Sequence, residues 1–209
     1  MKIILENTGK KYNREWIFRG IDLELTTSDS YVVSGGNGSG KSTFLKLISG
    51  FQTQSEGVIA YHQSDSKELI PFSQIYKEVA YSAPYIAVFE EYTIQELVSF
   101  AAKLKPLKNN IDYQEFLEII ELQHASNKPI KNFSSGMKQR VKLGLSILAD
   151  TSILLLDEPT SNLDKNAIKW YQNLIGNHIE NRIVIVASND QKDESFFCNQ
   201  EIKIDAYKS

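Results

Sequence analysis

Short apolar runs divide much of the chain into strands. Residues 2–5 and 16–25 have strand composition, and the polar turn at 13–15 between them predicts a hairpin. Continuous apolar runs at 153–156 and 183–187 are typical of strands buried on both faces of a parallel sheet. Further short strands are predicted at 31–33, at 58–61 and, as an edge strand, at 201–205. The pattern therefore combines an antiparallel hairpin with a buried parallel sheet.

Apolar positions with helical spacing predict the remaining elements. Thr93 and Glu96 have the spacing of a capping box and open a helix that Pro106 ends. A second amphipathic helix is predicted at 113–120. Asp164 can cap a further helix that ends near Gly176, and Gly50 can cap the end of the helix at 44–48. Residues from about 90 to 145 are expected to form a helical insert in an α/β core.

A glycine-rich segment lies between the strand at 31–33 and the helix at 44–48. Its sequence, GGNGSGKST, satisfies G-x-x-x-x-G-K-[ST], the pattern of a phosphate-binding P-loop. Glycines allow the backbone to turn its N–H groups inward, and the following helix adds unpaired donors and the positive end of its dipole. The predicted phosphate-binding residues are Gly35, Asn37, Gly38, Ser39, Gly40, Lys41, Ser42 and Thr43.

Two carboxylates, Asp157 and Glu158, follow the apolar run at 153–156. Ligands bind at the carboxyl ends of strands in open α/β sheets, so these acids are expected to meet the P-loop. Asp157 is predicted to hold Mg²⁺ together with the Ser42 hydroxyl, and Lys41 to reach the β- and γ-phosphates. Glu158 can orient or deprotonate an attacking water, which predicts hydrolysis.

Composition narrows the classes of protein that the chain can belong to. Its 209 residues are 42% hydrophobic, enough to bury a sizeable core. The formal net charge of −3 disfavours nucleic acid as a main partner. No apolar stretch approaches the ~18 residues needed to span a bilayer, and the early charges argue against a signal peptide. A single cysteine, Cys198, fits a reducing compartment.

A serine-glycine segment between these halves carries a resemblance to a known family. Residues 133–140, FSSGMKQR, resemble the Leu-Ser-Gly-Gly-Gln signature of ATP-binding cassette (ABC) proteins. Ser134, Ser135 and Gly136 would form a second anion site at the start of a helix that runs to about Leu148. In the family, two cassettes pack head to tail, and the signature of one covers the ATP bound by the other. Residues 161–164 resemble the family's D-loop, which crosses that seam.

The resemblance covers nearly the whole chain and implies its fold, ligands and partners. It implies one nucleotide-binding domain over residues 1–209, with a three-layer P-loop α/β core of mostly parallel sheet, an N-terminal antiparallel β subdomain and a helical subdomain at about 90–145. It implies ATP and Mg²⁺ as cofactors, and as partners a second nucleotide-binding subunit, identical or different, and a transmembrane permease subunit. The chain would then lie on the cytoplasmic face of the membrane, most like the short cassettes of exporters.

Two positions depart from the family's pattern. Residues 81–85, YSAPY, lack the glutamine that usually contacts Mg²⁺ and attacking water there. Asn189 stands where the family's switch histidine would contact the γ-phosphate, and an amide can donate a hydrogen bond but cannot carry a proton. Asn189 is therefore a candidate catalytic residue. With both departures, ATP turnover by the protein is expected to be slow or to depend on its partner.

Two aromatic residues and two alternative functions complete the expectations. Tyr12 either stacks on the nucleotide base or packs in the sheet, and Trp16 is expected in the core. The first alternative function is a regulatory clamp that binds ATP and dimerises but scarcely hydrolyses it. The second is a cassette that acts on DNA or ribosomes, although the long coiled-coil insertion or tandem cassette of such proteins is not seen in this sequence.

Overall fold

Two β-sheets organise the fold of this computed structural model, which describes residues 1–63, 68–189 and 192–208. The strands are β1 (Lys2–Tyr12), β2 (Glu15–Thr26), β3 (Ser30–Ser34), β4 (Glu56–His62), β5 (Val79–Ser82), β6 (Ile153–Asp157), β7 (Ile183–Ala187) and β8 (Gln200–Lys203). Three of them form an antiparallel sheet in the order β2-β1-β4, and five form a parallel sheet in the order β5-β6-β7-β3-β8. The strand that ends at Asp157, β6, is thus internal to the parallel sheet.

The helices connect these strands. They are α1 (Lys41–Ile48), α2 (Ile75–Glu78), α3 (Ile94–Leu104), α4 (Tyr113–Ile120), α5 (Ser135–Ile147), α6 (Lys165–Gly176) and α7 (Lys192–Ser195). The predicted capping box is present, because Thr93 accepts a hydrogen bond from the Glu96 amide and Glu96 accepts one from the Thr93 amide. Asp164 caps α6 as predicted. Gly50 follows α1 with φ 76°, as its predicted role at a helix end requires.

The parallel sheet is buried on both faces, which gives the fold three layers. Leu154 and Leu156 of β6 pack into one apolar cluster with residues of α3, α4, α5 and α6. Ile153 and Leu155 face the opposite way and pack with α1 and the antiparallel sheet. Every residue of β6 and β7 is buried, as their continuous apolar sequences predict. The predicted three-layer α/β core with antiparallel and helical parts is confirmed.

The first strand is longer than its apolar pattern indicates. The prediction ended at Leu5, but β1 continues to Tyr12 with shifts of register after Leu5, and Asn7 adopts φ 45°. Such irregularities break the alternation of apolar and polar positions on which the prediction depended. The predicted hairpin is present, with Tyr12 paired to Glu15 across the turn.

Trp16 does not lie in the core, so that expectation was wrong. Its ring is partly exposed on the hairpin, with Lys11 Nζ 5.1 Å and Arg19 Cζ 4.3 Å from the ring centroid. Contacts of this kind let an aromatic side chain remain at the surface. The hydrophobic size of the residue predicted burial, whereas its cationic neighbours are Arg19 on the same strand and Lys11, which pairs with Trp16 from β1.

The last predicted strand also ends earlier than expected. The sheet edge at β8 stops at Lys203, and Ile204–Tyr207 forms a turn of 3-10 helix. This turn brings the Asp205 carboxylate to the P-loop, where it accepts a hydrogen bond from the Gly36 amide at 3.2 Å. Among the described residues, no helix has the length and apolar character that crossing a membrane requires.

Candidate functional site

The P-loop connects β3 to α1 at the carboxyl edge of the parallel sheet. Gly35, Gly38 and Gly40 have φ values of 152°, 74° and 104°, which are backbone conformations that favour glycine. A Cβ on Gly40 would lie 2.6 Å from Cγ2 of Ile17 on β2. The hairpin therefore packs directly against the loop, and the glycine pattern reflects both backbone conformation and space.

The loop and the first turn of α1 offer donors to an anion. The first hydrogen bond of the helix runs from the Phe44 amide to the Gly40 carbonyl at 2.8 Å, so the amides of Lys41, Ser42 and Thr43 precede it. The buried Ser39 hydroxyl has no hydrogen-bond partner among the described residues. A buried unsatisfied donor is costly, and a phosphate oxygen can satisfy it. The loop residues named from the sequence thus lie together, and phosphate binding by them stays a prediction.

The Lys41 side chain is folded over the loop. Its ammonium donates to the carbonyl oxygens of Gly35 at 2.8 Å and Gly36 at 3.0 Å, and to Oδ1 of Asn189 at 2.6 Å. These three bonds use all three N–H donors of a lysine. A phosphate that binds Lys41 must therefore replace at least one of these acceptors. Asn189, on the loop after β7, lies at the P-loop as the sequence predicted.

Asp157 and Ser42 meet at the predicted metal site. The Ser42 hydroxyl hydrogen-bonds the Asp157 carboxylate, which is only 2% exposed. Burial raises the pKa of Asp157, while the hydrogen bonds from Ser42 and Tyr85 act in the opposite direction. No group of three His, Cys, Asp or Glu side chains that could hold a metal occurs in residues 1–63, 68–189 and 192–208.

This donor set fits Mg²⁺. Magnesium takes hard oxygen ligands, commonly one or two carboxylates completed by water and substrate phosphates, so a hydroxyl and a carboxylate beside a phosphate cradle suit it. Ser42 and Asp157 would hold the ion, and the ion would supply charge neutralisation at the phosphates.

Two tyrosines at this carboxylate were not predicted. Tyr85, on the loop after β5, donates to Asp157 Oδ2 at 3.1 Å, and Tyr81, on β5 itself, donates to the same oxygen at 3.5 Å. The two phenols also hydrogen-bond each other. They occupy the segment where the family's glutamine is missing. The apolar pattern of the sequence does not show that β5 lies beside β6. It also does not show which side chains reach Asp157, so this contact could not be predicted.

Replacing Tyr85 by Phe is expected to lower the Mg²⁺ concentration needed for half-maximal ATP binding by roughly fivefold, because one competing hydrogen bond to Asp157, about 1 kcal/mol, is lost. The measurement is a Mg²⁺ titration of nucleotide binding by the purified variant. Tyr92→Phe is the matched control, since the Tyr92 ring packs on Phe89 and Phe100. An increased Mg²⁺ requirement would contradict the assignment of Tyr85 as a competitor.

Glu158 stands beside Asn189 in a strained conformation. Its φ is 46°, which costs a residue with a Cβ about 1 kcal/mol or more. The Glu158 amide donates to the Ala187 carbonyl at 2.9 Å, and its Oε1 accepts from Asn189 Nδ2 at 2.6 Å. The amide of Asn189 therefore bridges Lys41 and Glu158. The Ser161 hydroxyl also donates to Glu158 Oε2, at 3.4 Å. An acid held in this way beside a phosphate-binding loop can orient a water for attack.

The serine-glycine segment begins a helix, as predicted. Ser134 is the N-cap of α5 and accepts from the Met137 amide at 3.2 Å, and Ser135 is the first residue of the helix. Ser134 and Ser135 are exposed. A Cβ on Gly136 would lie 3.2 Å from the Asn162 carbonyl oxygen, so the segment packs against residues 161–164.

Among the described contacts, the serine-glycine segment is joined to the turn after β6 rather than to the P-loop. The buried Gln139 donates to the Pro159 carbonyl at 2.9 Å. The P-loop instead contacts β2, the loop after β7 and the turn after β8. The roles of Ser134, Ser135 and Gly136 toward nucleotide stay predictions.

Tyr12 lies at the exposed end of the hairpin. Its side chain is 43% exposed, and its hydroxyl donates to Gln52 Oε1 at 2.6 Å. Lys10 Nζ is 5.3 Å from the ring centroid. Tyr12 is the last residue of β1, and both roles considered for its ring, packing in the sheet and stacking on a base, stay predictions.

A parallel α/β sheet with a P-loop after β3 and a carboxylate at the end of β6 defines the class of P-loop nucleoside-triphosphate-binding proteins. A family model described as ABC transporter matches residues 18–161. The chain belongs to the ABC transporter family. It is an ATP-binding domain of that family.

Individual relatives agree with this assignment. The spermidine/putrescine import ATP-binding protein PotA of Acetivibrio thermocellus is 30% identical over 165 residues, covering 78% of this chain and 46% of that protein. The Fe(3+) ions import ATP-binding protein FbpC of Fusobacterium nucleatum is 27% identical, covering 84% of this chain and 49% of that protein. The chain thus spans about half the length of these curated relatives.

Solved structures show the same fold. An ABC transporter ATP-binding protein from Pyrococcus furiosus, described as putative in its own name, superposes with a TM-score of 0.83 at 21% identity over 100% of both chains. A dimeric ATP-binding cassette in a post-hydrolysis state with ADP and Pi has a TM-score of 0.79 at 21% identity, covering 97% of this chain and 95% of that one.

Proposed function

We propose that this chain hydrolyses ATP to drive transport through separate membrane subunits. The observation that carries the proposal is the Asn189 amide, which joins Lys41 of the P-loop to Glu158. It links a phosphate-binding cation to the acid that would orient water, and so occupies the place of the absent histidine. A contact set of this kind favours turnover over the alternative of an ATP-dependent clamp that scarcely hydrolyses.

The catalytic cycle would need a second nucleotide-binding subunit. The exposed Ser134 and Ser135 lie away from the P-loop contacts of their own chain, which supports their use on the nucleotide of a partner. ATP would close a head-to-tail dimer, and hydrolysis would release it. The proposal accommodates an identical or a different second subunit.

A transmembrane permease subunit would receive this motion. An apolar cavity of about 330 Å³ lies between β5 and α3, and its lining includes the exposed aromatics Tyr76, Phe89 and Phe100. Tyr81 also lines this cavity while its hydroxyl reaches Asp157. A partner bound here would therefore touch a residue of the metal site. The proposed location is the cytoplasmic face of the membrane, with residues 1–209 as one nucleotide-binding domain and no nucleic acid partner.

Export is the direction that we propose, on the resemblance to short exporter cassettes. The relatives named above are import proteins, and this chain matches about half of each. Reconstitution with the permease in inside-out vesicles would decide, because ATP supplied outside such vesicles drives accumulation of an exported substrate and leaves an imported one unaccumulated.

The function is tested by steady-state ATP hydrolysis at protein concentrations that drive dimerisation, with Asn189 varied. Asn189→Ala is expected to lower kcat by roughly 10- to 100-fold, since it breaks the bridge to Lys41 and Glu158. Asn189→His restores a phosphate contact and is expected to equal or exceed wild type. Asn173→Ala, at an exposed position of α6, is the matched control. Wild type that neither binds Mg·ATP nor turns it over with its permease would contradict the proposal.

A further inference from the structure

A buried acid outside the sequence motifs contacts the segments that carry the proposed catalytic residues. Glu194, on the short helix α7, is 2% exposed. Its Oε1 accepts two hydrogen bonds from Thr160, at 3.2 Å from the amide and at 2.7 Å from the hydroxyl. The Ser188 hydroxyl also hydrogen-bonds the Glu194 side chain. One side chain thus contacts two separate segments of the chain.

These two segments carry the residues at the γ-phosphate end of the site. Thr160 follows Glu158 in the turn after β6, and Ser188 immediately precedes Asn189 in the loop after β7. The Ser188 amide donates to the Val33 carbonyl of β3 at 3.2 Å. Glu194 therefore connects the turn that holds Glu158 with the loop that holds Asn189.

The helix that carries Glu194 is itself anchored. The buried Tyr171 hydroxyl of α6 donates to the Glu194 carbonyl oxygen at 2.8 Å. The Gln172 side chain donates to Asp193 Oδ1 at 3.3 Å. Because α6 begins directly after residues 161–164, a shift of that segment would reach Glu194 through packed side chains.

We propose that Glu194 is a positioning residue that holds Glu158 and Asn189 in register across the site and transmits movement of residues 161–164 to both. The role requires only an acceptor oxygen, which a carboxyl or an amide group provides. Burial raises the pKa of Glu194, and the nearby Glu158 acts in the same direction. Its Oε2 has no hydrogen-bond partner among the described residues, so only Oε1 makes the connection.

Three substitutions of Glu194 separate position from charge. Glu194→Gln keeps the length and an acceptor oxygen, Glu194→Asp keeps the acid but withdraws it, and Glu194→Ala removes it. Lys192→Ala, at an exposed position of the same helix, is the matched control. We expect kcat to stay within about threefold of wild type for Glu194→Gln and the control, and to fall roughly tenfold or more for Glu194→Asp and Glu194→Ala. Affinity for Mg·ATP is expected to stay within about twofold throughout.

Because the kinetic part rests on the proposed ATPase function, amide hydrogen exchange provides an independent readout. In Glu194→Asp and Glu194→Ala, residues 158–163 and 183–189 should both exchange faster, while the control matches wild type. A wild-type protein that does not turn over ATP would contradict the ATPase proposal. Amide hydrogen exchange would still decide the role of Glu194. Three results would overturn the positioning role of Glu194. They are unchanged exchange in the variants, an active Glu194→Asp variant beside an inactive Glu194→Gln variant, and an affinity for ATP that falls in proportion to kcat. If Glu194→Ala does not fold, Glu194→Asp carries the test.

Discussion

Glu158→Gln is expected to reduce kcat for ATP by about 1,000-fold, because general base or water-positioning catalysis contributes roughly 10²- to 10⁴-fold. The amide keeps an oxygen that can accept from Asn189, so the bond between these two side chains can persist. The variant loses the negative charge and the capacity to take a proton. Affinity for Mg·ATP is expected to remain within about threefold of wild type.

The measurement pairs ATP hydrolysis with the oligomeric state in the presence and absence of Mg·ATP. With hydrolysis blocked, an ATP-bound dimer should accumulate, because release is coupled to turnover in the proposed cycle. Glu118→Gln, an exposed position of α4, is the control for loss of one surface carboxylate. Activity above about a tenth of wild type in Glu158→Gln would contradict the role of Glu158 as base, given the magnitude above.

The local parts of the site could be predicted from the sequence, because each depends on neighbours along the chain. The P-loop requires glycines, a lysine and a hydroxyl at set spacing between one strand and one helix, and residues 35–43 supply all of them. The helix caps at Thr93 and Asp164 are likewise local patterns. The buried strands β6 and β7 could be predicted because a strand covered on both faces is a continuous apolar run without alternating polar residues.

The missing parts depend on contacts between distant segments. Nothing near Tyr85 indicates that its phenol reaches Asp157, and nothing near Glu194 indicates that it accepts from Thr160. Both contacts follow from the order of strands in the sheet, which places the ends of β5, β6 and β7 side by side. The prediction for Trp16 failed for a related reason, because one of its cationic neighbours, Lys11, reaches the ring through the pairing of β1 with β2.

Asn189 shows both what the sequence could predict and what it could not. Its position after a buried strand marked it as the counterpart of a switch residue, and its side chain does reach the P-loop. The second half of its role, the hydrogen bond to Glu158, is a property of the assembled site. A neutral amide can both donate and accept, which lets one side chain serve a cation and an acid simultaneously. A protonated histidine could only donate, whereas the Asn189 amide accepts from Lys41 and donates to Glu158.

Lys41→Ala is expected to weaken Mg·ATP binding by roughly 100-fold, because a charge-assisted hydrogen bond to phosphate is worth about 1.5–3 kcal/mol and the cradle loses its only side-chain cation among its described residues. Hydrolysis at saturating ATP should fall by about 100-fold as well, since the same charge stabilises the transferred phosphoryl group. Equilibrium titration with a fluorescent ATP analogue and steady-state turnover measure the two effects. Lys169→Ala, an exposed lysine of α6, is the control.

The Lys41→Arg variant tests whether the site needs the compact ammonium group of lysine or only a positive charge. The Lys41 ammonium fits between the carbonyl oxygens of Gly35 and Gly36, where compact tetrahedral donors are needed. A planar guanidinium fork cannot reproduce those bonds, so Lys41→Arg should bind ATP at least about tenfold more weakly than wild type despite its charge. A Lys41→Arg variant with wild-type ATP affinity and turnover would show that a positive charge alone suffices at this position.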